Sequence, residues 1–187
     1  MILAAFRRRH QDRNIHALYG MIVAQARSRT FYADYGVADT VEGRFELIVL
    51  HMVLLLRRLA GPDPAGGRGS SLGQQLFDVF CRDLDDNLRE MGVGDMAVPR
   101  KMRQFGEAFY GRQTAYNAAM NAGVEAELEK ALARNIFGAG AVDGRAERLA
   151  GYVRAAARRL DAEEERDILA AGKAVFPSPE GFAHAAT

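Results

Sequence analysis

Apolar residues in this chain return every three to four positions and almost never in strict alternation, which selects helices over a sheet-built core. The clearest case is "FELIVLHMVLLLRRL" (45–59), where residues 47–56 are apolar apart from His51. Too short to span a bilayer, such a run fits a helix buried among others. At 187 residues and 49% hydrophobic content, the chain is sized for one domain with a sizeable core. The expected fold is all-α: a single-domain irregular helical bundle of about six or seven helices.

Residues 1–13 read as a basic N-terminal tail, 14–173 as the helical domain and 174–187 as a flexible C-terminal tail. The first helix is expected over 14–29, with Ile15, Leu18, Tyr19, Ile22 and Val23 on one side. "TFYADYGVAD" (30–39) reads as a linker. Asp39 followed by Glu42 forms a capping box for a second helix ending near Leu59. The loop "AGPDPAGGRGSS" leads to Ser70 or Ser71 as cap of a third helix, which Gly92 and Gly94 stop after Met91. Pro99 opens a fourth helix running to about Met120. Helices over 124–137, 145–159 and 163–173 complete the set.

Lys and Arg total 25 against 24 Asp and Glu, so a net charge of +1 gives no overall field for nucleic acid. Cys81 is the only cysteine, which excludes an intrachain disulfide and a thiolate cluster. "MILAAFRRRH" places its charges after the apolar residues, the reverse of a secretory signal, and the chain reads as soluble. This segment either rests on an anionic bilayer or is plainly disordered.

Gly92-Val93-Gly94 lacks the preceding strand, the following helix and the Gly-Lys-Ser/Thr ending of a phosphate loop, and reads as a helix C-cap. On the third helix, Asp78, Arg82, Asp85 and Arg89 form a solvated ladder, while Asp83, Asn87 and Glu90 fall in or beside the apolar arc. Arg44, His51 and Arg58 recur every seven residues on the second helix and supply a complementary stripe. The two sets form either a structural polar seam or a catalytic carboxylate–histidine cluster around His51, Asp83 and Glu90. No Glu-x-x-His or His-Glu-x-x-His occurs, so no cofactor or metal is expected. On the fourth helix Met102, Phe105, Phe109, Tyr116 and Met120 suit a buried stripe. Arg100, Lys101, Arg103 and Arg112 around them form a solvated basic face rather than a strand-binding surface.

Two blocks carry a family resemblance. The first is Tyr35-Gly36-Val37, Asp39-Thr40 and Gly43-Arg44-Phe45-Glu46. The second is Asp85-Asp86-Asn87-Leu88-Arg89-Glu90, Gly92-Val93-Gly94-Asp95 and Phe109-Tyr110-Gly111-Arg112. With the helix order over residues 14–160, they resemble the ubiquinol–cytochrome c chaperone family, assembly factors of respiratory complex III. The resemblance implies a non-enzymatic chaperone that binds newly made or unassembled cytochrome b. Mitochondrial relatives act with a small partner protein near the ribosome and the inner membrane. This shorter chain resembles a bacterial member, at the cytoplasmic face of the inner membrane.

The residues that the resemblance singles out for partner binding or for the family's structure are Tyr35, Asp39, Arg44, Asp86, Arg89, Glu90, Asp95, Tyr110 and Arg112. Without a nucleotide loop, such a chaperone holds its client by surface complementarity, and seven methionines offer adaptable packing. Leu47, Leu50 and Leu54, on the far side of the second helix from Phe45 and Met52, form either core or a docking face. The rival readings are an all-α metal-dependent enzyme using His51, Asp83 and Glu90, and a generic helical adaptor.

Overall fold

The structure, a computed structural model, describes residues 2–60, 68–138, 144–164, 167–168 and 176–183, leaving aside the side chains of 2–12, 68–70 and 183. Its helices are α1 (Ile2–Ala26), α2 (Arg29–Ala33), α3 (Val41–Ala60), α4 (Arg68–Glu90), α5 (Val98–Ala122), α6 (Glu125–Ile136), α7 (Gly144–Ala162) and α8 (Glu180–Ala183). No strand occurs among the described residues. The all-α bundle is the fold that helical periodicity requires. Most of the helix expected over 163–173 lies outside the described residues, as does the loop at 61–67.

The apolar run explains the architecture. Helix α3 touches α1, α4, α5, α6 and α7. From Glu46 to Leu55 every residue except Ile48 is buried, so a helix apolar on all sides has become the axis of the bundle. Leu47, Leu50 and Leu54 are core rather than a docking face.

Several boundaries differ from expectation for local reasons. Helix α1 begins at Ile2 instead of near Asn14, because 2–13 contains neither glycine nor proline and is rich in Ala, Leu and Arg. The first part of the expected linker is the short helix α2. The cap of α3 is Thr40, whose Oγ1 accepts from the Gly43 amide at 3.1 Å; Asp39 is drawn away by Arg44 at 2.7 Å. Ser70 and Ser71 fall inside α4.

His51 is fully buried. Its Nδ1 lies 2.7 Å from the Leu47 carbonyl, which can only accept, so Nδ1 carries the proton. Nε2 then accepts from the Tyr152 hydroxyl at 2.8 Å, and that oxygen in turn accepts from Gln25 Nε2 at 3.0 Å. Burial pushes the imidazole pKa down from 6.5 to about 4. As pH falls, the unfolded chain therefore takes up this proton before the folded one. Stability holds above pH 6.5 and is lost progressively toward pH 4. The expected loss is about 2 kcal/mol by pH 5. Thermal midpoints across this range should show the decline in wild type and lack this component in His51→Leu; an equal slope in both would remove the assignment.

Residues 176–182 are packed rather than frayed. Phe176 is 4% exposed and stands edge-on to His51, with ring centroids 4.9 Å apart. The Pro177 carbonyl accepts from Gln25 at 2.9 Å and the Pro179 carbonyl from the buried Tyr35 hydroxyl at 2.7 Å. Phe182 packs against Tyr152. Aromatic anchors and two satisfied carbonyls outweigh the turn-forming composition that suggested a free end.

Candidate functional site

The family-motif residues divide by burial. Tyr35 is fully buried, and its hydroxyl pKa is raised to about 12, chiefly by burial. Arg112 donates through Nε to Glu46 Oε2 at 2.5 Å and through Nη2 to Oε1, joining α5 to α3 by a bidentate pair. Only 10% of the Glu46 side chain is exposed. Asp39 and Arg44 instead form an exposed pair, in which the guanidinium's hydrogen bond holds the Asp39 carboxyl below its usual range. These placements make Tyr35 and Arg112 internal ties, and they correct the polar-seam expectation for Arg44.

The second block builds a hairpin from α4 and α5. Gly92 adopts φ 78°, its amide donating to Arg89 O at 2.9 Å, and the Val93 amide donates to Leu88 O at 3.0 Å. This is a Schellman cap, so the Gly-Val-Gly stretch ends a helix and cradles no phosphate. The Ala97 amide closes the following turn on Gly94 O at 2.8 Å. Arg89 spans the turn, reaching Asp85 at 2.6 Å and Asp95 at 2.5 Å. Asp86 and Glu90 face solvent. Met91 and Met96 project from this fixed turn, 62% and 96% exposed.

Further along the hairpin, Tyr110 is 56% exposed and packs on Phe77, with centroids 5.7 Å apart. It overhangs a groove of about 190 Å³ between α3, α4 and α5, lined by Leu56, Ala60, Gly73, Phe77, Phe109 and Tyr110 with Gln74 and Gln113 at its edge. A Cβ on Gly73 would stand 3.3 Å from a Leu56 methyl, so the glycine lets α4 approach α3 here. Among the described residues no carboxylate, histidine or cation lines the groove, whose chemistry is apolar contact plus amide hydrogen bonding.

The rival catalytic cluster of His51, Asp83 and Glu90 does not assemble. Both His51 nitrogens are occupied within the core, Asp83 accepts from the Tyr19 hydroxyl at 2.7 Å, and Glu90 faces solvent. Arg58, third member of the stripe, donates to the carbonyls of Leu160 and Glu163. The seven-residue repeat placed these side chains on one face of α3, but Arg44 turns to Asp39 just ahead of the helix, and His51 and Arg58 meet carbonyls and a phenol instead of carboxylates. Among the described residues, no three His, Cys, Asp or Glu side chains gather as a metal-binding group. No described helix is long and apolar enough to cross a membrane.

The partner of Arg112, Glu46, was not singled out from sequence, although it ends the first block; two charged residues far apart in sequence give no pairing signal. The groove was equally hidden, being assembled from three helices.

Comparisons with known proteins follow the same lines. The model of the ubiquinol-cytochrome C chaperone family matches residues 33–176. Over 149 residues the chain is 27% identical to the ubiquinol-cytochrome c reductase complex assembly factor 1 of Drosophila melanogaster, which takes in 78% of this chain. That alignment covers 57% of the fly protein, so the chain spans little more than half of this curated relative. The crystal structure of the Cbp3 homolog from Brucella abortus superposes with a TM-score of 0.81 at 36% identity, covering 96% of this chain and 98% of that one.

Proposed function

The chain belongs to the ubiquinol–cytochrome C chaperone family, and from that premise we propose that it assists assembly of ubiquinol–cytochrome c reductase by holding newly made or unassembled cytochrome b, without catalysis. The supporting observation is the α4–α5 hairpin: a hydrogen-bonded turn presents Met91 and Met96, and Tyr110 overhangs a groove with no charged side chain among the described residues that line it. Exposed thioethers and a half-exposed aromatic ring offer large, adaptable contact area. The fly relative's name carries the assembly role; the client, and a position against the inner face of the inner membrane, belong to this proposal.

Deleting the gene is expected to lower assembled complex III several-fold, read from haem b spectra and native gels, with restoration by the wild-type chain. Crosslinking in membranes should capture cytochrome b on the hairpin. Normal levels of active complex III in the deletion strain would end this reading.

A further inference from the structure

Residues 176–182 occupy a groove whose walls come from four separate parts of the chain: Gln25 on α1, Phe31 on α2 with Tyr35 just beyond it, His51 on α3 and Tyr152 on α7. Phe31 meets the rings of Tyr35, His51 and Tyr152 at centroid distances of 5.5, 5.5 and 5.0 Å, forming one aromatic floor. Phe176 and Phe182 press on this floor from above, edge-on to His51 and Tyr152. Between them the backbone is read directly: Gln25 Nε2 and the Tyr35 hydroxyl donate to the carbonyls of Pro177 and Pro179, two residues apart. Ser178, between those carbonyls, faces solvent.

Over the non-helical residues 176–179 this is how a groove recognises a peptide backbone: acceptors at alternate positions meet fixed donors and an aromatic anchor fills one end. The one-turn α8, its Phe182 amide on Pro179 O, brings the second ring to the other. The cis segment is held by two side-chain hydrogen bonds and two ring contacts. Such a short, peripheral element opens at lower free energy than the core. Its departure would expose an aromatic floor and leave two donors without acceptors. Both are surfaces that another segment with the same chemistry satisfies.

We propose that this groove is a peptide-docking site for an extended segment with an aromatic anchor and two free backbone carbonyls at alternate positions, covered in cis by the chain's own residues 176–182. On the chaperone reading above, on which the identity of the occupant rests, the displacing segment is an extended apolar stretch of the unassembled client. The chain's end then keeps the aromatic floor out of water until that stretch arrives.

The test uses the full-length chain and a labelled synthetic peptide reproducing residues 174–183. Phe182→Ala removes one ring contact of the cover and leaves both groove donors in place, and Phe176→Ala removes the anchor. Circular dichroism establishes that each variant is folded. By fluorescence anisotropy, the peptide should bind Phe176→Ala at least about ten-fold more tightly than wild type, a difference of 1.4 kcal/mol. Adding Tyr35→Phe should abolish that gain. A peptide carrying alanine in place of its first phenylalanine should not bind. If Phe176→Ala fails to fold, a smaller gain over wild type is expected in Phe182→Ala, whose cover is loosened at its other ring.

Binding that is equal with and without the Tyr35 hydroxyl, or absent from every folded open variant, overturns the proposal. Conversion of the open variants to dimers would also overturn it, assigning the groove to exchange between copies. The assay contains no complex III component, so its failure leaves the assembly role standing, and a normal deletion strain leaves the groove standing.

Discussion

Gly43→Ala is expected to be the most damaging small substitution in the chain, costing about 4 kcal/mol or more. An added Cβ would lie 2.0 Å from the Ala38 carbonyl oxygen, well inside contact distance. Neither side can yield by changing a rotamer, because both are backbone. Gly43 is fixed by its amide's bond to Thr40, and the turn before it by the Val37 amide's bond to Phe31 O. Moving that turn would drag Tyr35 and Val37 out of the core, where they are 0% and 3% exposed. At this chain length, such a loss lowers the thermal midpoint by roughly 8–16 °C. Gly106→Ala is the control: nothing lies within 4 Å of its added Cβ, so inside α5 it should stabilise by about 1 kcal/mol. Equal midpoints for the two variants would show that the α3 turn relaxes freely.

The second large effect is expected at the pair joining α3 to α5. Arg112→Ala leaves the Glu46 carboxylate nearly buried without its cation, which should cost about 3 kcal/mol. Replacing both partners by methionine removes the orphaned charge along with the pair, and most of that loss should return. Urea unfolding of Arg112→Met, Glu46→Met and the double variant forms a closed cycle with wild type. A double variant no more stable than Arg112→Ala would show that the arginine acts through packing alone. The exposed Asp39–Arg44 bridge, with both side chains more than half accessible, should be silent when Arg44 is changed to alanine.

These two sites also mark how far the sequence could be read. The axial helix was legible because residues 47–56 leave no polar face, and the end of α4 because Gly92 must accept a left-handed backbone. Local competition was harder to see. Asp39 and Thr40 are both good caps, and Arg44, one turn on, decided between them by engaging Asp39. Long-range pairing was not legible. The stripe of Arg44, His51 and Arg58 was real, yet its partners are set by elements up to 105 residues away. The C-terminal proline pair suggested a free end because its two acceptors are claimed by side chains on the first two helical segments and the turn after them. Among the motif residues, sequence could not sort internal ties such as Tyr35 and Arg112 from outward-facing Asp86, Glu90 and Tyr110.

Gln25 and Tyr35 find acceptors 152 and 144 positions further along the chain. During translation, α1 and the turn after α2 must therefore wait for residues 177–179 before their donors are satisfied and their rings covered. Until then a nascent copy displays the same kind of oily, half-bonded surface that a chaperone exists to conceal, so its maturation is a race between finishing synthesis and sticking to neighbours.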